Sequence, residues 1–379
     1  MTLTHKERVQ RAIRRAPLDY FPSQVDFTPR DVPRIARHLG IADQELEQAV
    51  DNHLVYAYSL SSVEEYMHNP ELLQHAVGLG LARVDQQAGL VYDPWGVGWD
   101  LTSEGVWVGF HPLADPGAYR SYRFPDPDAA GLMDYVERAV REYGQEYFVI
   151  AFQHISLFER SWALRGYENL MLDITLNRPF VEELYDRIAD YQVAVARRFV
   201  AAGVDGARIG DDYGSQKGLM MAPQEWRKII KPRLQRIWAV YQEAGLPVFL
   251  HSCGDLRAIL DDLVEMGLSV LHPVQPLAMP LDYLQQRYGE HLTFFGGIDT
   301  QKILPFGSPQ DVRRATIDCI QTLGHSGGYI IAPSQEIMTD VPLANIDALL
   351  TTIREQRTRV PFPIADRSEA SPPGPARQE

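Results

Sequence analysis

The feature that most constrains this chain is a strand–helix rhythm that sets in near residue 129 and runs to about residue 333. Tyr147 to Phe152, Gly206 to Gly210, Pro247 to His251, Ser269 to His272, Leu292 to Ile298 and Gly328 to Pro333 have the length and content of buried parallel strands. Helical patterns of crossover size separate them, such as Pro179 to Ala202 and Pro223 to Ala244. Repeated β–α units with short junctions imply a parallel sheet, closed or open. Phe21 to Phe27 adds another strand, with Pro22 near its start, where a missing donor is tolerated. No glycine-rich dinucleotide loop follows that first strand. This favours an α/β fold of the (β/α)8 TIM-barrel type, with one strand still unmarked, over an open sheet.

The flanking segments complete the expectation. Residues 4 to 15 form an amphipathic helix that Thr4 caps and Glu7 closes into a capping box. Residues 30 to 80 read as mostly helical, with Pro33 in a first turn. Residues 82 to 125 change character: Gly, Trp and Val alternate from Gly89 to Trp99 and again from Gly105 to Phe110, which predicts a small antiparallel excursion serving as a lid or a pocket wall. Residues 1 to 360 are expected to form one domain, and 361 to 379, rich in Pro, Ser, Ala and charge, a disordered tail.

The formal charge of −14 excludes the basic footprint of a nucleic-acid binder, though not a local basic pocket. Two cysteines, Cys253 and Cys319, offer no disulfide framework. The polar start and the lack of a run near the roughly 20 apolar residues of a membrane span predict a cytoplasmic protein.

Reactive side chains collect at the strand ends. His154 and Ser156 follow the run ending at Phe152; Asp211, Asp212, Tyr213, Gln216 and Lys217 follow Gly210; His251 and Cys253 close the next run. His272 with Gln275, then Asp299, then Ser334, Gln335 and Glu336 end the last three. Such convergence describes a barrel mouth. His154 serves as an acid or base, or is a satisfied loop histidine. Of the adjacent Asp211 and Asp212, one turns inward and needs a partner or a task, and Arg208 is a candidate partner. Asp255 caps a helix from Leu256, Asp299 caps a turn before Lys302 or binds substrate, and Cys319 is a packed thiol. Trp95 and Trp99 are packing residues first. His251 and Cys253, two apart where a strand meets its loop, aim an imidazole and a thiolate at one point, as a soft metal needs. His272, Asp211, Asp212, Gln275, Gln335 and Glu336 are the third-ligand candidates by position, and a purely structural role for the pair stays open.

Together these segments resemble the uroporphyrinogen decarboxylase and corrinoid-methyltransferase superfamily over most of residues 5 to 350. The likeness rests on Lys6-Glu7-Arg8 with Leu18 to Pro22, Asp93-Pro94-Trp95-Gly96, Gly166 to Leu170, Asp211 to Gln216, and His251 to Asp255. It continues with Phe295 to Asp299, and with Gly327 to Ile330 followed by Ala332-Pro333-Ser334. The resemblance implies a (β/α)8 barrel with N-terminal helices and a site at the strand C-terminal mouth. The decarboxylase branch carries an arginine-rich clamp after its first strand; here the corresponding segment, Ser23 to Arg30, keeps only Arg30. The His-x-Cys element belongs to the methyltransferase branch, where Zn2+ activates a thiol acceptor or polarises a methyl donor. That branch adds a Glu and a second Cys where this chain has Gln275 and Gln335, so His272 and Glu336 are left to complete a site with His251 and Cys253.

Three functions follow from the resemblance. The first is methyl transfer between a small methylated substrate or a corrinoid-carrying partner protein and an acceptor, zinc-assisted at His251 and Cys253. Asp211, Asp212, His154 and His251 would be catalytic, and Arg30, Tyr213, Gln216, Lys217, Gln275, Asp299 and Gln335 would contact substrate. The second is cofactor-free decarboxylation of a uroporphyrinogen-type or other acid, with Asp211 or Asp212 steadying a cationic intermediate and Arg30 or Lys217 holding a carboxylate. The third is a non-catalytic binding subunit. Homodimerisation is left open.

Overall fold

The computed structural model describes residues 3–61, 63, 69–100 and 107–357. The expected tail at 361–379 and the pair Gly105-Val106 lie outside the described residues. Thirteen strands are numbered here in chain order. β1 (Leu54–Tyr58) is followed by β2 (Arg83–Asp85), β3 (Leu90–Tyr92), β4 (Gly98–Asp100) and β5 (Val108–Phe110). Then come β6 (Phe148–Gln153), β7 (Gly206–Gly210), β8 (Gly214–Ser215) and β9 (Gly218–Leu219). β10 (Val248–His251), β11 (Val270–Val274), β12 (Thr293–Ile298) and β13 (Tyr329–Pro333) complete the set.

Seven of them form one curled parallel sheet in the order β1-β6-β7-β10-β11-β12-β13. β1 is the strand that the sequence reading missed, because it took residues 30 to 80 as mostly helical. Leu54-Val55-Tyr56-Ala57-Tyr58 is short and shows no polar–apolar alternation, and pairing with β6 fixes it as a strand. Conversely, Phe21 to Phe27 is not a continuous strand. Ser23 and Phe27 make isolated parallel bridges to Ile331 and Ile337. On its other side Ser23 O accepts from His53 N at 3.1 Å, and Asn52 Oδ1 accepts from Val25 N at 2.7 Å. Residues 22 to 28 therefore run beside both edges of the curled sheet.

The expected excursion is present as a four-stranded antiparallel sheet, β2-β3-β4-β5. Its anchor is Asp93, whose Oδ1 accepts from Val97 N and whose Oδ2 accepts from Trp99 Nε1 and, at 2.6 Å, from Arg160 Nη1. The N-terminal helix His5–Arg14 carries the expected Thr4–Glu7 capping box. Its Val9 and Ile13 pack against Phe148, Ile150, Phe249, Val270 and Ile330, which face inward from alternate positions of the strands. That apolar plug fills the lower interior. Two residues further along β10 and β11 the same face turns polar, at His251 and His272, and the site begins there.

Candidate functional site

The period-2 alternation of a strand dictates which side chains share the interior above the plug. Phe249 is followed on the same face by His251, Val270 by His272, and Ile150 by Phe152. Parallel register sets Phe249 beside Arg208, and His251 beside both Gly210 and His272. A cation and two imidazoles thus meet in one layer. Gly210 is the inward residue next to His251, and a Cβ there would come within 1.4 Å of His154 Cδ2. The missing side chain is what lets His154 lean in, its ring 4.7 Å from that of His251 and nearly perpendicular to it.

These residues form the floor of a cavity of about 800 Å3 at the strand C-terminal ends, walled by Tyr56, Tyr58, Phe152 and Phe295. Arg208 lies against two of those rings, its guanidinium carbon 5.2 Å from the Tyr56 centroid and 4.7 Å from that of Phe152. Its Nη2 donates to His251 Nδ1 at 2.6 Å, and His251 Nδ1 lies 3.0 Å from His272 Nδ1. Burial, then the charge of Arg208, holds both His251 and His272 well below the ordinary histidine range, so both rings are neutral. A guanidinium can only donate, so His251 Nδ1 is the acceptor and its ring proton sits on Nε2. Asp26, on the same wall, accepts from Gln24 Nε2 at 2.7 Å and from Tyr56 Oη at 2.9 Å, and burial pushes its carboxyl upward.

His251 Nε2 points the other way, to Cys253 Sγ at 3.9 Å and Asp212 Oδ1 at 3.7 Å. The three residues offer one N, one S and one O donor within 4.8 Å of one another. Metal–ligand bonds of about 2.0–2.3 Å at tetrahedral angles give donor separations of roughly 3.3–3.6 Å, so small side-chain shifts would close this set on a zinc ion. Coordination through Nε2 also requires Arg208 to release Nδ1, because the ring proton must move there. Burial, reinforced by the neighbouring Asp212, pushes the Cys253 thiol far up and keeps it protonated as it stands. The loop is fixed by its backbone: Cys253 N donates to Asp212 Oδ1 at 2.7 Å, Asp255 N to Ser215 O at 2.8 Å, and Gly254 packs directly on Gly214.

Cys253 faces a second recess of about 430 Å3 with Gln216, Gln275, Gln301 and Gln335 on its walls. Gln335 and Glu336, both exposed, line this recess and the larger cavity alike. Gln275 also braces the loop by accepting from Gly254 N at 2.8 Å. Of the third-ligand candidates, Asp212 is the one brought to His251 and Cys253. His272 touches the opposite nitrogen of His251, and neither it nor Glu336 belongs to the three-donor group.

Other expected site residues are placed elsewhere. Asp211 is fully buried and caps the helix Phe158–Arg165, which has no local side-chain cap. Its carboxylate accepts from the backbone N–H of Leu157, Phe158 and Glu159 at 3.1, 2.7 and 2.7 Å. The suggested pairing of Arg208 with Asp211 or Asp212 is not found: Arg208 is turned to the interior and binds His251. Tyr213 is buried against Trp226, away from the cavity lining. Asp299 takes its capping role, accepting from Gln301 N and Lys302 N. Lys217 is exposed at the tip of the β8–β9 hairpin, and Arg30 is exposed beside the cavity rim. Asp255 does not cap a helix from Leu256: it binds Arg257, and the helix starts only at Leu260. Cys319 is packed, its Sγ 3.1 Å from Gly297 O. Sequence reasoning missed Asp26, Tyr56 and Phe152, and it mistook the orientation of Arg208. The available signal was an arginine two residues before a strand end, in register with inward residues.

Comparison with known proteins places this geometry in context. A family model described as Uroporphyrinogen decarboxylase (URO-D) matches residues 95–356. A methylated-thiol–coenzyme M methyltransferase of Methanosarcina mazei is 23% identical over 206 residues, 54% of this chain and 52% of that protein. The chain thus spans about half the length of that relative in the matched region. A methylcobamide:CoM methyltransferase of Methanosarcina acetivorans is 22% identical over 92% of this chain and 96% of its own length. A uroporphyrinogen decarboxylase of Thermus thermophilus is 24% identical over 46% of the chain and 49% of its own length. In structure, a methyltransferase from Methanosarcina mazei superposes with a TM-score of 0.62 at 17% identity, covering 93% of this chain and 99% of the other. No described helix is long and apolar enough to cross a membrane.

Proposed function

Because the chain belongs to the uroporphyrinogen decarboxylase (URO-D) family, we propose that it is an enzyme of methyl transfer, working in a (β/α)8 barrel whose eighth strand is residues 22 to 28. The observation that carries the reading is the group Asp212, His251 and Cys253, three donors suited to zinc, set between two recesses at the strand ends. Two recesses meeting at one point suit a reaction that brings a donor and an acceptor together. The relatives with methylcobamide in their names support a corrinoid-bound methyl group as one partner in the exchange.

Asp212, His251 and Cys253 would hold the ion. Bound zinc supplies Lewis acidity that lowers the pKa of a thiol, so that a thiolate is present at neutral pH. The protein's own groups do the rest. Asp212 holds the Cys253 loop through its backbone N–H, fixing where the thiol stands. With its own ring proton on Nε2, neutral His272 could accept a hydrogen bond from His251 Nδ1, 3.0 Å away, were that nitrogen to carry the proton.

The test is metal content and methyl transfer from methylcobalamin to 2-mercaptoethanesulfonate, on protein purified without chelator. About one zinc per chain is expected, lost together with activity in Cys253→Ser and His251→Ala. Metal-free protein whose His251→Ala variant transfers methyl groups at the full rate would overturn the reading. A second reading, decarboxylation of a small acid, is favoured by one observation: the cation Arg208 in the cavity floor. Loss of carbon dioxide from uroporphyrinogen or another acid, followed by mass spectrometry under anaerobic conditions, separates it from methyl transfer.

A further inference from the structure

We propose that Arg208 is a carboxylate-binding residue, and that the cavity above it takes a small aromatic acid whose carboxylate seats on the guanidinium and whose ring lies against the aromatic walls. The inference deepens the proposed function by naming the substrate class, and it rests on that cavity being the substrate site.

Arg208 is 9% exposed and lines the cavity. Among the described residues it forms one hydrogen bond, from Nη2 to His251, and no ion pair within 4.0 Å. Its Nε is buried without a partner. A guanidinium carries five N–H donors in a rigid fork matched to a carboxylate. Buried cations are ordinarily paired, because desolvation is repaid only by a counter-charge with good geometry. The four other buried arginines among the described residues obey this rule: Arg160 pairs with Asp93 at 2.6 Å, Arg8 with Asp19 at 2.8 Å, Arg165 with Asp173 at 2.7 Å and Arg233 with Asp186 at 2.8 Å. Arg208 departs from it, and it lines the cavity.

The acids near the cavity do not fill the vacant donors. Asp26 is the near one; its oxygens accept from Gln24 and Tyr56, and no hydrogen bond or ion pair joins it to Arg208. Burial pushes its carboxyl upward, while the charge of Arg208 acts the other way. Asp43 and Glu336 line the exposed rim. The rings of Tyr56 and Phe152, 5.6 Å apart and steeply tilted to each other, both lie within cation–π distance of the guanidinium on one side. Tyr58, Phe27 and Phe295 then offer faces and edges to an apolar body attached to the bound carboxylate. Such an anion would also draw the guanidinium from His251 Nδ1, the change that coordination through Nε2 requires. The clamp would thus form in the barrel interior, where the sequence reading had looked to Arg30 and Lys217.

Benzoate and its neutral isostere benzamide, titrated calorimetrically into the whole protein, test the proposal. One benzoate should bind per chain, with benzamide at least about tenfold weaker, and Arg208→Gln should remove that preference while leaving benzamide binding unchanged. Arg208→Lys, which keeps the charge and loses the fork, should fall between them. If Arg208→Gln does not fold, the wild type suffices: benzoate, and not benzamide, should protect Arg208 from phenylglyoxal, read by peptide mass spectrometry. Equal binding of the two probes, no saturable benzoate binding, or equal labelling of Arg208 with and without benzoate would overturn the assignment. Benzoate binding by a protein that transfers no methyl group would instead count against the proposed reaction alone.

Discussion

Asp211→Asn separates a structural acid from a catalytic one. In the wild type the Asp211 carboxylate closes three backbone N–H groups at the start of the helix Phe158–Arg165, all inside the core. Asparagine retains one carbonyl oxygen. Placed where Oδ2 now sits, it keeps Leu157 N and Phe158 N and turns its NH2 toward Glu159 N, leaving one buried donor orphaned and one donor–donor contact. An orphaned buried N–H costs about 1–3 kcal/mol, and replacing charge-assisted bonds with neutral ones adds to this. The expected loss is about 2–4 kcal/mol, which lowers Tm by roughly 2.5–5 °C at about 1.3 °C per kcal/mol for a chain of this size. Urea unfolding at pH 7.5 should show a lower midpoint with an unchanged m-value. Methyl transfer per folded molecule should stay within about twofold of wild type. A variant of wild-type stability that has lost turnover would refute the reasoning and return Asp211 to the catalytic set. The pH profile gives a second check. Burial pushes this carboxyl up to about 6 from 3.8, so the folded protein holds a proton between those values that the unfolded chain has released. Wild-type stability from this group should therefore fall as pH rises through that window, and Asp211→Asn should not show the fall.

Asp93→Asn leaves Arg160 charged and buried beside Trp95 and Trp99, and should cost about 3–5 kcal/mol in urea unfolding; a loss under about 1 kcal/mol would contradict the ion-pair account. Asp93→Asn combined with Arg160→Met should recover much of that loss. Gly210→Ala forces His154 out of the cavity floor, so turnover should drop by on the order of tenfold or more while circular dichroism stays unchanged; full activity would show that the position of His154 does not matter. His5 lies at the opposite end of the sheet, with one ring nitrogen on Asp51 and the other on Glu146, and these partners raise its pKa above 6.5. Its stabilising effect is complete below 6.5 and lost as pH rises through the folded value, so His5→Gln should be weaker than wild type by about 1 kcal/mol at pH 5.5 and match it near pH 9. A pH-independent difference would place the effect in packing instead.

Much of the fold was legible because periodicity is local. Apolar runs of strand length, helical spacing between them and the Thr4–Glu7 box each needed only neighbouring residues to be read. β1 and the 22–28 segment were not legible in the same way. Their hydrogen-bond partners lie far along the chain, at Phe148–Phe152 for the first and at Ile331 and Ile337 for the second. The chain order also placed His154, His251, Cys253 and His272 at one mouth, since parallel strands end on the same side.

Which way each of those side chains turns was a different matter. Two adjacent acids look alike in sequence, yet Asp211 caps a helix that begins 53 residues earlier at Phe158 and Asp212 meets Cys253 and His251. Register between strands decides this: it turns Arg208 inward beside Phe249 and leaves Gly210 as the gap that His154 fills. The sequence by itself determined which residue types reach the strand ends, because alternation and strand length are written in the order of residues. Only the tertiary structure decided which of them share a floor, because inter-strand register and long-range capping depend on contacts between segments far apart in the chain.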